Sequence, residues 1–229
     1  MNRIFRLTVC LVLLCCMAAP AQCAEVSAVL RKVQEVYAGM KDFRAAFEQK
    51  LFQRDSGVEE VRTGVLLFQK PLLVRWDTRT PRPELLMVTE REIWNYLPDE
   101  ELAYRYPRAM AEDSRSLVQV VTGQSALDRD FDVESAQEEG DGRLIHLLLS
   151  PREPTTELTE AQIWIEPETF LIRKVVIMDF YGNTNTVELK EVKTNAGLRA
   201  SDFQFTPPQG TEVEDHVEPS HPARRPLLN

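Results

Sequence analysis

The chain has 229 residues, 43% of them hydrophobic, which suffices for one domain with a real core and no more than one. Its 36 acidic against 27 basic side chains give a net charge of −9. That balance argues against nucleic acid, whose binding is driven by neutralising phosphates, and disfavours resting on an anionic membrane surface.

Arg3 and Arg6 precede an apolar run over residues 7–19. A bilayer-spanning helix needs roughly 20 such residues, so the run is too short to cross. Small residues follow: Ala18, Ala19, Ala21 and Ala24. A charged start, a short apolar middle and a small-residue end predict a secretory signal peptide over residues 1–24. Cleavage after Ala21 or near Cys23 and Ala24 fits, with Ala24 favoured. A membrane anchor is the competing reading. A lipidated cysteine is disfavoured, because Gln22 before Cys23 and Cys15 before Cys16 are poor small-residue neighbours. All the cysteines (Cys10, Cys15, Cys16, Cys23) lie in this segment, so an exported chain cut at Ala24 uses no disulfide. Losing Arg3 and Arg6 leaves 25 basic against 36 acidic residues, a net charge of −11.

Residues 25–41 place Val26, Val29, Leu30, Val33, Val36, Tyr37 and Met40 at three- and four-residue spacing. That predicts an amphipathic helix covering a sheet. Residues 43–54 alternate as a strand, Asp55-Ser56-Gly57 is a turn, and residues 58–69 run back. Strands over 72–78, 84–89, 92–97 and 101–106 follow, separated by Lys70-Pro71, Pro81-Arg82-Pro83 and Glu90-Arg91. Connections this short make neighbours antiparallel, so this is a meander.

At Pro107 the period changes. Residues 107–112 suit one helical turn, with proline at its start. Asp113-Ser114 is a candidate cap for a helix over 115–122, closed by Gly123, and another short turn fits 125–130. Two readings of this insertion stand: a packing helix that seals a barrel end, or a movable cover over a cavity. Strands resume over 131–137, 144–150, 160–165, 171–179 and 184–193, with turn signals at Glu139-Gly140-Asp141-Gly142, Pro167 and Gly182-Asn183. Residues 200–205 are short and aromatic, and residues 211–229 read as a flexible tail. Ten or so strands in one sheet twist and curl. The predicted fold is mainly β, a curled antiparallel sheet forming an incomplete β-barrel with a lid of short helices, in one domain over 25–210.

Catalytic constellations are wanting. His146 sits in a leucine strand, where one histidine is usually structural; His216 and His221 lie in the tail. There is no Gly-x-Ser-x-Gly elbow, no reactive cysteine with a histidine partner, no phosphate-cradling glycine loop and no zinc-type ligand run. What remains is shape: a hollow curled sheet would be a greasy site for an apolar ligand, a full one an ordinary core.

Three motifs in order carry a resemblance. They are Met40-x-x-Phe43-x-x-x-Phe47-x-Gln49; Lys70-Pro71, Arg75-Trp76, Pro81 and Trp94-x-Tyr96-x-Pro98; and Phe203-x-Phe205-Thr206-Pro207-Pro208-Gln209-Gly210 followed by Val213 and Asp215. Together they resemble the periplasmic outer-membrane lipoprotein carrier family, LolA. The resemblance implies a monomeric shuttle in the periplasm, with no cofactor and no catalysis. It would take triacylated lipoproteins from an inner-membrane ATP-driven release complex and pass them to an outer-membrane lipoprotein receptor. The cavity is then expected to be lined by Phe47, Leu66, Phe68, Trp76, Leu86, Val88, Trp94 and Tyr96, with Met110, Leu117 and Val121 from the lid. The family's lid-closing basic residue falls on Lys70, expected to contact residues 107–123. Relatives carry arginine there, whose fork bonds several carbonyls, whereas lysine is a point charge. Rivals are the lipidated receptor of the same fold, a lipid- or lipoprotein-sensing module that regulates a partner, and a small lipid-modifying enzyme.

Overall fold

A computed structural model describes residues 18–112, 116–136 and 144–217. The first helix, α1 (Ala18–Gly39), buries Val26, Leu30, Val33 and Tyr37, the stripe that its spacing predicts. It begins before Glu25 and runs through the expected cleavage point at Ala24. Once a helix is nucleated, alanine-rich sequence propagates it at little cost. The rest of the expected signal segment, residues 1–17, lies outside the described residues.

Strands β1 (Asp42–Gln53) and β2 (Val58–Gln69) form a long hairpin paired from Asp42↔Gln69 to Gln53↔Val58. The meander continues through β3 (Leu73–Thr80), β4 (Glu84–Val88), β5 (Glu92–Leu97) and β6 (Leu102–Pro107). A 3₁₀ turn (Arg108–Ala111) and the short helices α2 (Leu117–Val121) and α3 (Leu127–Asp130) follow. The Asp113-Ser114 cap expected from the sequence lies outside the described residues. Ser116 caps α2, its hydroxyl accepting from the Gln119 N–H at 3.3 Å.

The second half is again a meander: β7 (Phe131–Ser135), β8 (Ile145–Pro151), β9 (Glu160–Ile165), β10 (Ile172–Met178) and β11 (Thr184–Thr194). β11 returns to pair with β1, so β1 joins the two halves. The expected Glu139–Gly142 turn lies outside the described residues. A final strand, β12 (Glu212–Asp215), pairs parallel to β6. The sheet order is β12-β6-β5-β4-β3-β2-β1-β11-β10-β9-β8-β7, twelve strands that curl without closing. The protein is thus an incomplete β-barrel with short helices over its inner face.

One expectation changes at the C-terminus. The short aromatic stretch 200–205 contains a 3₁₀ turn (Ala200–Phe203). The expected tail from residue 211 begins with β12, held by an Arg105–Asp215 ion pair and the His216 N–H to the Arg105 carbonyl at 2.8 Å. Backbone pairing to the otherwise open β6 edge outweighs the polar composition of Glu212–Asp215, whose side chains all stay exposed.

Candidate functional site

The inner wall follows from alternation, since side chains two apart on a strand share a face. Phe47, Leu66, Phe68, Trp76, Leu86 and Val88 are each 0–2% exposed and belong to one apolar cluster. Pairing explains their meeting: Leu66 stands opposite Trp76, and Trp76 opposite Leu86. Phe47 faces Gly64 across β1 and β2, and its ring lies 5.0 Å from that of Trp76. A Cβ on Gly64 would sit 2.8 Å from Phe47 Cε1 and collide with the Asp77 carbonyl. Only glycine lets the Phe47 ring fold inward there.

Trp94 and Tyr96 do not join this wall. Register sets Ile93 opposite Val88 and Asn95 opposite Leu86, so Ile93 and Asn95 face inward. Trp94 and Tyr96 point to the convex face, where their rings lie 5.6 and 5.4 Å from Phe205. With Leu73, Met87 and Phe203 they form a separate cluster. The misassignment has a physical cause: Leu85-Leu86-Met87-Val88 is apolar on both faces, because the segment around Phe203 covers the outside. Alternation is then invisible, and a slip of one residue exchanges the faces.

Sequence reasoning also missed the other wall. Leu147, Leu149, Ile163, Ile165, Val175 and Val187 from β8 to β11 are 0–1% exposed and complete the same cluster. Their alternation was available as a signal. Three polar atoms in this region, Gln49 Oε1, Trp76 Nε1 and Asn95 Oδ1, are buried without a hydrogen-bond partner among the described residues.

The cover fills the space between the walls. Val118, Val120 and Val121 are buried in the cluster, with Met110 and Leu117 packed against it. The 3₁₀ turn lies against β5 and α2 against β10, so the two elements lie on opposite sides of the curl. Gln119 Nε2 donates to the Ala111 carbonyl at 2.8 Å and ties turn to helix. Gly123 ends α2 at φ +67°, against the face of Tyr37.

Tyr37 locks α1 to the wall: its hydroxyl accepts the Ile172 N–H at 3.1 Å. Burial pushes the phenol up to about 12, partly offset by that hydrogen bond and by Arg173. A raised folded-state value means that the folded chain holds the proton more tightly than the unfolded one. The resulting stability is complete below pH 10 and is lost as pH rises from 10 to 12. We expect urea midpoints to fall across that window by about 2–3 kcal/mol in stability, and Tyr37→Phe to flatten the profile.

Among the described residues, no hydrogen bond or ion pair joins Lys70 to residues 107–123. Its Nζ donates to the Ala38 carbonyl at 2.8 Å, in the last turn of α1. Helix ends leave carbonyls unpaired and carry partial negative charge, which suits an ammonium. Arg108, which the sequence did not single out, makes the link from the cover instead. Its Nη1 donates to the carbonyls of Thr89 and, at 3.3 Å, Leu72. Backbone carbonyl partners leave no trace in sequence.

At the opposite end of β1 from α1, a cleft of about 230 Å³ opens between two hairpins. Leu51, Val58, Arg62, Ile177, Asn183 and Asn185 are among its lining residues, none of them expected from the sequence. Among the described residues no group of three or more His, Cys, Asp or Glu is placed to hold a metal ion.

An unclosed barrel whose apolar inner face is covered by short helices of its own chain defines a class of half-barrel proteins built around a greasy interior. The family described as "Outer membrane lipoprotein carrier protein LolA" matches residues 38–206, most of the chain. The chain belongs to that family. It is similar to an outer-membrane lipoprotein carrier protein of Nitrosomonas europaea, 25% identical over 175 residues, covering 75% of this chain and 81% of the relative. A protein of the same description from Bordetella pertussis is 27% identical over 197 residues, covering 86% and 89%. Among solved structures, an uncharacterized conserved protein from Thermus thermophilus shares the fold at TM-score 0.54 and 14% identity, covering 83% of this chain and 99% of that one.

Proposed function

We propose that this protein is a periplasmic carrier that holds the acyl chains of lipoproteins inside the half-barrel and moves them from the inner to the outer membrane. The observation that carries the reading is the cover: the apolar side chains of Met110, Ala111, Leu117, Val118, Val120 and Val121 pack into the inner-face cluster, where they stand in for a cargo of the same chemistry. Family membership and the printed names of the relatives support it.

Burying an acyl chain stabilises by about 0.8 kcal/mol per CH₂, so exposing ~16 carbons to water costs on the order of 12 kcal/mol. Triacylated cargo cannot cross an aqueous space free. An apolar interior replaces one greasy environment by another, and the transfer is nearly balanced. Residues 1–24 export the chain. An inner-membrane ATP-driven complex loads it and an outer-membrane receptor unloads it.

The test is a release assay with purified protein lacking residues 1–24, added to inner-membrane vesicles that hold labelled lipoprotein and a competent release complex. Soluble one-to-one complexes in the supernatant are expected. Lipoprotein that stays in the membrane, with the complex shown active on another carrier, would sink the proposal.

A further inference from the structure

We propose that the cleft at the far end of β1 is a site for an ammonium group, a lysine side chain on the peptide that follows the cargo's acylated residue. The proposal rests on the carrier reading above and names the polar half of that cargo's site.

The cleft begins where the apolar interior stops. Along one face of β1, Phe47 belongs to the interior, Gln49 comes next and Leu51 lines the cleft. Ile177 is common to both, a member of the apolar cluster that also lines the cleft. An acyl chain in the interior and a polar group in the cleft can therefore belong to one molecule.

What the cleft offers is acceptors. Gln49 is fully buried and its amide is half used. Its Nε2 donates to Asn185 Oδ1 at 3.0 Å, while its Oε1 has no hydrogen-bond partner among the described residues. A buried acceptor left unpaired is costly, and a donor from a ligand relieves that cost. Asn185, opposite Leu51 in the ladder, carries the pair to the lining. Glu60, Glu157 and Asp179 line the same space, against Arg62. The Arg62 guanidinium is already spent, 2.6 Å from Glu60 and 3.2 Å from Glu84. A phosphate-bearing head group would meet these carboxylates with a neutralised cation. An ammonium has three donors and no acceptor, the complement of such a lining.

The walls are fixed in advance. Asp179 Oδ1 accepts the N–H groups of Tyr181 and Asn183, each at 2.9 Å, and shapes the turn between β10 and β11. The Arg54 N–H donates to Asn183 Oδ1 at 3.0 Å and joins the tips of the two hairpins. The Phe180 N–H donates to the Thr156 carbonyl at 2.9 Å and seats the loop that carries Glu157. A rigid site loses little entropy on binding.

The experiment uses the exported chain and two tripalmitoyl-cysteinyl peptides, one continuing in lysines and one in glutamates, each measured by displacement of bis-ANS. The lysine peptide is expected to bind ~10-fold more tightly than the glutamate peptide. Glu157→Lys and Gln49→Leu should each lower that ratio by about 3-fold or more. Glu168→Lys makes the same charge change at the opposite end of β10 and should leave the ratio unaltered. A ratio near unity, a ratio that neither cleft variant moves, or an equal fall in Glu168→Lys would overturn the proposal and leave the carrier reading standing. Lysophosphatidylethanolamine that competes as well as the lysine peptide would assign the ammonium to a lipid head group and overturn the peptide assignment. Should Gln49→Leu fail to fold, Glu157→Lys decides, since its side chain lies exposed on a loop. If neither peptide displaces bis-ANS, the carrier reading falls and the proposal with it.

Discussion

Trp76→Ala is expected to remove about 3–5 kcal/mol of folding stability, the range for deleting a large aromatic from a packed core. The indole is fully buried at the meeting point of β2, β3 and β4, opposite Leu66 and Leu86 and against the Phe47 ring. Phe47 is held inward by the narrow gap over Gly64, and Leu66 and Leu86 are fixed by ladder pairing. Urea unfolding measures the loss as a drop in midpoint at unchanged slope. The same variant joins stability to the proposed function. The hole lies on the inner wall, so bis-ANS should bind more tightly to the folded variant than to the unaltered protein. A cost below about 1 kcal/mol would mean that the interior collapses readily and is not a preformed wall.

Gly123→Val is expected to cost about 3 kcal/mol or more, from two sources. Gly123 sits at φ +67°, where a β-branched residue is strained by about 1–2 kcal/mol. A Cβ there would also overlap the Tyr37 ring, which cannot retreat without losing its hydrogen bond to Ile172. Overpacking of that kind adds about 1–3 kcal/mol. The measurement is a double-mutant cycle with Tyr37→Ala. The valine should cost less where the ring is gone, with an interaction energy of about 1 kcal/mol or more. Additive effects would place the whole cost in the backbone and remove Tyr37 from the seat of the cover.

Much of the fold was legible because each signal was local. The stripe of α1, the meander turns at Lys70-Pro71 and Pro81-Arg82-Pro83, and the change of period at Pro107 all mark real boundaries. So was much of the inner wall: six strand positions from Phe47 to Val88 do meet in one cluster. Trp94 and Tyr96 were misread because apolar side chains cover both faces of β4 and β5. His216 reads as tail, yet its ring stacks on Tyr106 at 5.1 Å, because β12 carries it along the β6 edge. His146, in its leucine strand, stacks on Trp164 at 4.0 Å.

Antiparallel order within each half, the helical insertion between them and, through three motifs, the family are all legible in local sequence. Period, turn chemistry and motif spacing are properties of a few adjacent residues, so they survive without knowledge of distant partners. The tertiary structure alone decided which face of β5 looks inward, that β11 returns to β1, and that Arg108 rather than Lys70 ties the cover to the rim. Those outcomes depend on contacts between residues far apart in the chain, and on backbone carbonyls that every residue type offers alike.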